Sequence, residues 1–486
     1  VYKRQPQYNI DKIYLDAYPQ VSTQGGSRYP EVNAAINQKI FTGSFLMNYV
    51  GHGGENGWSG ERVLNTVDIY KWNNLNQLPL FVTATCSFSR YDNPNKTSAG
   101  EVLIVSPEGG AIALMTTVRL VYASSNEKMN RAFLNHLFEP INGEIPAIGE
   151  VARLAKNEVD AATVSINNRK FSLLGDPALR LNYPKYDIVT TTINGQAIGT
   201  EIDTIKALSK VKIEGEVRDK NGVRMDNFNG IVYPTVFDKM SNITTLRNDS
   251  DSNEKEFQLH RNTIFKGQAA VENGRFSFEF IVPKDISYQF DYGRVSYYAE
   301  NGEIDAHGFN EDFTVGGISE NASNDNEGPE IEVFMNDEKF IFGGITDENP
   351  VLLIKLKDEN GINTVGNAIG HDITAILDDD NSDIFVLNNY YKAKLNSYQE
   401  GEVRFPLADL ETGLHTINVK AWDVFNQSGK AYTEFVVAEN AEIALQNVLN
   451  YPNPFFDQTS FWFEHNRAGD QLLSLIHISE PTRHVD

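Results

Sequence analysis

The chain is 486 residues long, room for two to four domains, and carries 66 Asp and Glu against 42 Lys and Arg, a net charge of −24. That balance excludes the basic surface that nucleic-acid binding needs and favours a soluble, self-repelling one. A single cysteine excludes an internal disulfide framework, and no stretch approaches the roughly 18 apolar residues of a membrane-spanning helix.

Residues 1–5 (VYKRQ) and 473–486 (LSLIHISEPTRHVD) resemble nothing around them. They read as translated sequencing-adapter text and are set aside from fold reasoning. The chain between them reads as an internal piece of a longer protein, so a missing signal peptide says nothing about location. Residues 6–185 read as α/β, with a short strand expected from Lys12 to Leu15.

Two apolar runs in this part each end on a residue that can do chemistry. The first, Phe45 to Val50, runs into Gly51-His52-Gly53-Gly54; the second, Leu80 to Thr85, runs into Cys86. Short apolar runs closed by turn residues are the signature of buried strands in a parallel sheet, and in such sheets functional groups gather beyond the carboxyl ends. Taken alone, a lone Cys is commonly a small buried hydrophobe and a His among glycines a turn residue. Together, at one sheet edge, His52 and Cys86 suit a thiol nucleophile with an imidazole partner. The glycines let the backbone approach a substrate closely, and the N–H groups of Gly53 and Cys86 are the candidate oxyanion hole.

Further along, Ala111 to Met115 predicts another central strand. Spacings of three and four at Met129, Phe133 and Leu137, and at Ile148, Val151, Ala152, Ala155 and Val159, predict two helices, the first starting near Asn126 and Glu127. FSLLGDPALRL (171–181) reads as two strand pieces around a turn, with Asp176 closing that turn.

The segments NYVGHGGENGW (48–58), ERVL (61–64), VTATCSFSRYD (82–92), GGAIALMTTVRLVYASSN (109–126) and FSLLGDPALRL resemble the gingipain family of cysteine peptidases, within the caspase–gingipain clan. The wording is nearest the family's type IX secretion sortases. The resemblance implies Cys86 as nucleophile, His52 as its acid/base partner and Gly53 at the oxyanion hole. Trp58 and Arg119, inside matched segments, become candidates to line the substrate cleft, with the core as the equal alternative for Trp58. In this fold the first strands of the sheet, and an acidic residue that orients the His, come from upstream; Glu55 is nearby but is not assigned that role.

After Pro184 the pattern changes to period two. Alternation before Asn221-Gly222 and around Asn273-Gly274 predicts hairpins, hence a β-sandwich over 186–316. A polar linker (317–329) leads to a second sandwich (330–439), and 440–472 reads as the start of a third, Ig-like module. KDENGINTVGNAIGHDITAILD (357–378) and HTINVKAWDVFNQS (415–428) extend the resemblance to the sortases, which plain gingipains do not share. It implies protein substrates bearing C-terminal sorting domains, a thioester passed to water or to an amine such as a surface lipopolysaccharide, an outer-membrane partner protein, and a place on the outer face of a bacterial cell. An ordinary secreted endopeptidase and a catalytically silent scaffold are the rival readings.

No cofactor is required by this reading. Two aspartate-rich stretches could offer oxygen ligands to Ca²⁺, Asp378-Asp379-Asp380 with Asp383, and Asp249-x-Asp251-x-Asn253, though neither has the Gly and distal Glu of an EF-hand loop. Asn248 to Glu254 otherwise reads as a solvated loop. The remaining histidines show no metal-ligand spacing.

Overall fold

A computed structural model describes residues 7–162, 166–199, 204–320, 325–364, 370–379, 384–438, 445–451 and 460–465. Both adapter-like ends lie outside these. The architecture is a gingipain-like α/β unit followed by all-β units.

The α/β unit begins with helix α1 (Pro30–Phe41), which has Pro at its first turn and buries Val32, Ile36 and Ile40 along one face. Then come β1 (Leu46–Val50), β2 (Leu80–Ala84), α2 (Ala99–Val105), β3 (Ala113–Thr117), α3 (Ala123–Leu137), α4 (Ile148–Ala162) and β4 (Phe171–Leu174). The sheet order is β1-β2-β3-β4; the first three strands are parallel and β4 is antiparallel. Alternation along β2 divides the core. Phe81 faces α1 and α2 with Trp72, Leu103 and Leu114, whereas Leu80 and Val82 face α3 and α4 with Met129, Phe133 and Val151. Buried at every position, β2 is apolar except at Thr83, whose hydroxyl meets that of Thr116 inside the sheet.

Local expectations change in four places. Lys12 to Leu15 is not a strand, because it has no sheet edge to join. It docks instead on a hairpin of the next unit: Lys12 Nζ donates to Gln258 O at 2.9 Å, Tyr14 stands edge-on to Phe257, and Asp16 Oδ1 accepts from Asn248 N at 2.8 Å. Asn248 is therefore a docking residue, not part of a purely solvated loop. Helix α3 starts at Ala123, three residues early, and Asn126 is buried within its first turn, against Asn167. The third strand runs two residues later than its apolar core suggests. After β4 the chain does not re-enter a strand: Asp176 closes a turn by accepting from Ala178 N at 2.8 Å, and the residues after it lie outside any strand.

The first all-β unit departs from a two-sheet sandwich. Strands β5 (Tyr186–Ile193), β6 (Lys210–Arg218), β7 (Gly230–Phe237), β8 (Ala269–Glu272), β9 (Arg275–Ile281), β10 (Arg294–Glu300) and β11 (Asp305–Asn310) run in the order β5-β6-β9-β8-β7-β10-β11. The ring then closes, with Tyr186 and Asp187 of β5 parallel to Ala306 and His307 of β11. Asn273 and Gly274, with φ of +51° and +71°, make the tight turn between β8 and β9. Alternate residues fill the interior, among them Val211, Ile213, Phe278, Phe280, Val295 and Tyr297.

Closure needs β5 and β11 to approach closely at Gly308, where a Cβ would run into the Ile188 carbonyl oxygen. Gly308→Ala is therefore expected to cost about 1–3 kcal/mol, read as an earlier urea midpoint in the full chain.

The second all-β unit is a sandwich. One sheet holds Glu330–Met335, Val351–Lys357, Glu400–Pro406 and Tyr391–Ala393; the other holds Gly344–Thr346, Ser428–Val437, Gly413–Trp422, Thr374–Leu377 and Ile384–Val386. Leu352, Ile354, Val403, Ile417, Val419 and Phe435 close the core between them. Strand Thr314–Ile318 reaches into the polar linker, and of the third module the described residues give one antiparallel ribbon, Leu445–Tyr451 with Ser460–His465.

Candidate active site

Strand β2 ends at Ala84, and the chain must turn immediately to leave the sheet. Ser87 makes that turn with φ of +50°, the left-handed region, which costs a residue with a Cβ roughly 1–2 kcal/mol. The surroundings hold it there. Ser87 N donates to Arg119 O at 3.1 Å and Ser89 N to Thr117 O at 3.0 Å. The Thr117 hydroxyl donates to the Thr85 carbonyl, and Thr83 and Ser89 both meet the Thr116 hydroxyl at 2.9 Å. The end of β3 thus clamps the turn that carries Cys86. The Cys86 side chain is half-buried, with Sγ 3.5 Å from Val121 N and 3.6 Å from Val121 O. The N–H suits a thiolate and the carbonyl a thiol, so one residue serves both protonation states.

His52 reaches the same rim. Val50 pairs with Ala84, and Gly51 N donates to Ala84 O at 3.5 Å. His52 and Cys86 therefore stand at matching steps beyond neighbouring parallel strands, which run about 4.8 Å apart. The His52 carbonyl is pinned by Ser59 N at 2.7 Å and the Tyr49 hydroxyl at 2.6 Å. Burial, with the charge of Glu61 adding to it, pushes the Tyr49 phenol well above its ordinary pKa, so it remains a donor. The imidazole is exposed, and no described residue hydrogen-bonds it. Glu55 is otherwise engaged, accepting from Arg90 at 2.8 Å and Asn93 at 2.9 Å. The Arg90 and then the Asn93 hydrogen bonds hold its carboxyl below the usual range.

The two candidate oxyanion donors are uncommitted. Gly53 pairs with Trp58 in a short antiparallel ribbon, and the Ser59 N to His52 O bond makes it a non-hydrogen-bonded pair. The alternation of such ladders turns the Gly53 N–H away from the ribbon partner. The Cys86 N–H meets no acceptor among the described residues.

The cleft candidates fare differently. Trp58 is 2 % exposed and belongs to the core: its ring stacks on Tyr49 at 4.4 Å and packs near Phe81 and Phe88. Its apolar surface is better buried than offered to a substrate, so it supports the His52 loop from beneath, the core alternative and not the cleft one. Arg119 is at the rim, where its carbonyl holds Ser87 and its guanidinium pairs with Asp92, both carboxylate oxygens accepting. Val121, Tyr49 and Thr117 escaped sequence reasoning. The signal was present for Thr117, because Thr83, Thr116 and Thr117 carry hydroxyls in buried strand ends, and buried hydroxyls need partners.

The two weak calcium candidates gain no support among the described residues. Among the described residues neither Asp249, Asp251 and Asn253 nor Asp378 and Asp379 bring ligands together. Asp378 instead accepts from Thr416 N and contacts His415 Nδ1 at 2.7 Å. Asp380 and Asp383 lie outside the described residues.

Comparison with known proteins follows from this geometry. Residues 1–182 match Peptidase family C25. Among solved structures, dimeric latent PorU from Porphyromonas gingivalis is 30% identical, with 74% of this chain and 34% of that chain covered and a TM-score of 0.36. The complex of RgpB pro- and mature domains from the same organism is 16% identical, with 57% of each chain covered and a TM-score of 0.29. The Arg-specific cysteine proteinase gingipain R is 16% identical, covering 58% of this chain and 55% of that one, TM-score 0.27. The chain thus spans about a third of the first structure's length and just over half of the other two. No curated protein matches it.

Proposed function

Because residues 1–182 match Peptidase family C25, we propose that this chain carries the thiol site of a cysteine peptidase acting as a sorting-domain transpeptidase of type IX secretion. The observation that supports the chemistry most directly is the register of β1 and β2, which delivers His52 and Cys86 to matching steps on one rim. In the proposed reaction His52 takes the proton from Cys86 Sγ, and the thiolate adds to a peptide carbonyl. The negative charge moves to the carbonyl oxygen, where the N–H groups of Gly53 and Cys86 receive it. Collapse breaks the C–N bond, and the leaving amine takes the proton back from His52. A thioester on Cys86 remains. Water attacking it gives a free acid; an amine gives a new amide.

The sorting reading rests on the sequence resemblance that continues through 357–378 and 415–428, well beyond the α/β unit. In this reading the substrates are secreted proteins with C-terminal sorting domains, the amine donor is a surface lipopolysaccharide or similar molecule, and an outer-membrane protein is the docking partner. The site of action is the outer face of the cell; among the described residues no helix is long and apolar enough to cross a membrane.

The test is product analysis. The full-length enzyme, given a cargo with its sorting domain and a saturating amine donor, is expected to yield conjugated as well as cleaved cargo by mass spectrometry of the new carboxyl end. Free acid as the sole product would leave an ordinary endopeptidase.

A further inference from the structure

The segments 357–378 and 415–428 lie in the second sandwich, away from the thiol site, yet they converge with the linker on one point. Asp358 follows strand Val351–Lys357, Asp423 follows strand Gly413–Trp422, and Asp325 comes from the linker. One carboxylate oxygen from each lies within 4.8 Å of those of the other two. Asp423 is 0% and Asp358 8% exposed.

The backbone braces Asp358 and Asp423 through one oxygen each, whereas Asp325 accepts through both. Asp358 Oδ1 accepts from Asn360 N and Gly361 N at 2.8 and 3.0 Å. Asp423 Oδ1 accepts from Phe425 N and Gln427 N at 3.1 and 2.5 Å. Asp325 accepts from Glu327 N and from Asn360 Nδ2. Asp423 Oδ2 is buried and no described N–H donor reaches it; its polar neighbours are the Asp325 and Asp358 carboxylates, and buried acceptors gathered without a donor call for an ion or water between them. None of the three carboxylates has an ion pair to a described Lys, Arg or His.

We infer that Asp325, Asp358 and Asp423 form a binding site for Ca²⁺. The ligands are all hard oxygens, with no imidazole or thiolate to select zinc or copper. The carboxylates are fixed by backbone donors in an irregular arrangement drawn from three loops, which suits the flexible coordination of Ca²⁺ better than the octahedron demanded by Mg²⁺.

The site also ties the linker to the loops that seat the barrel. Asp285, between β9 and β10, accepts from Asn363 Nδ2 at 3.1 Å and Asn426 Nδ2 at 2.8 Å and meets His371 Nδ1 at 2.7 Å; Lys284 N donates to Val424 O at 2.9 Å. Those loops are the ones Asp358 and Asp423 anchor. Bound Ca²⁺ would fix the junction of barrel and sandwich.

The experiment titrates the chelator-stripped full chain with CaCl₂ by calorimetry and follows its melting. One binding event is expected, with Kd below about 1 mM, as for extracellular calcium modules. The lowest melting transition should rise by at least about 5 °C at a hundredfold excess over Kd. Asp423→Asn keeps the acceptor for Phe425 and Gln427 but should weaken binding at least about 100-fold and erase the melting shift, as should Asp358→Asn. Asp251→Asn should change neither. No binding up to about 10 mM, or binding lost in Asp251→Asn but kept in Asp423→Asn and Asp358→Asn, would overturn the proposal.

Discussion

Cys86→Ala is expected to lower peptide-bond cleavage by the full-length enzyme by about 10⁴-fold or more, with its melting temperature nearly unchanged. The size follows from chemistry: without Sγ no thioester forms, and the two N–H donors alone leave only residual catalysis. Stability is spared because the hydrogen-bond partner of Sγ among the described residues is the Val121 backbone, and the strained turn at Ser87 is held by Arg119 and Thr117, not by the thiol. His52→Ala should cause a comparable loss, again with little effect on folding, since no described residue hydrogen-bonds its exposed ring. Steady-state kinetics on a peptide substrate, with calorimetric melting alongside, checks both. A Cys86→Ala enzyme that still cleaves normally would move the nucleophile elsewhere.

Gly53→Ala is expected to lower kcat by about 10²–10³-fold with a small effect on KM. A methyl group here would meet Thr85 Oγ1 at 2.6 Å and Gly57 O at 2.8 Å, so the loop must lift off the end of β2. Lifting it carries the Gly53 N–H and the His52 ring away from Cys86 together, and a displacement of about 1 Å already costs a catalytic site about 10²-fold. The neighbour supplies the control: a Cβ on Gly54 meets nothing within 4 Å, so Gly54→Ala should retain near-normal kcat. Equal losses in the two variants would mean that the loop matters only for its flexibility.

The parts of this site written in short apolar runs could be read from sequence. Phe45 to Val50 and Leu80 to Thr85 announce β1 and β2 as short apolar runs closed by turn residues, although only β2 is buried on both faces and β1, at the sheet edge, leaves Asn48 and Val50 exposed; the helix faces at Met129, Phe133 and Leu137 repeat with the helical turn. What escaped depends on contacts between distant segments. Lys12 to Leu15 has strand-like composition, but its partner is a hairpin more than two hundred residues on. Barrel closure rests on Tyr186 meeting Ala306, and alternation fixes which face a residue takes without saying whether the sheet curls shut. Trp58 is the reverse case: its place in a glycine-rich motif suggested a cleft, while its size favoured the core. Asp325, Asp358 and Asp423 each look like ordinary turn residues until the topology gathers them.

The closure of the barrel has a mechanical side. The chain enters at the start of β5 and leaves after Thr314–Ile318, and these boundary strands pair in parallel, β5 with β11 and Thr204–Ala207 with Thr314–Ile318. Tension between the two ends therefore slides parallel neighbours past each other, stretching every bond of a ladder at once. An antiparallel hairpin pulled at its open end would instead unzip one bond at a time. The barrel is thus a shear-resistant coupling between the α/β unit and the sandwich, built to hold the two together when their far ends are pulled apart.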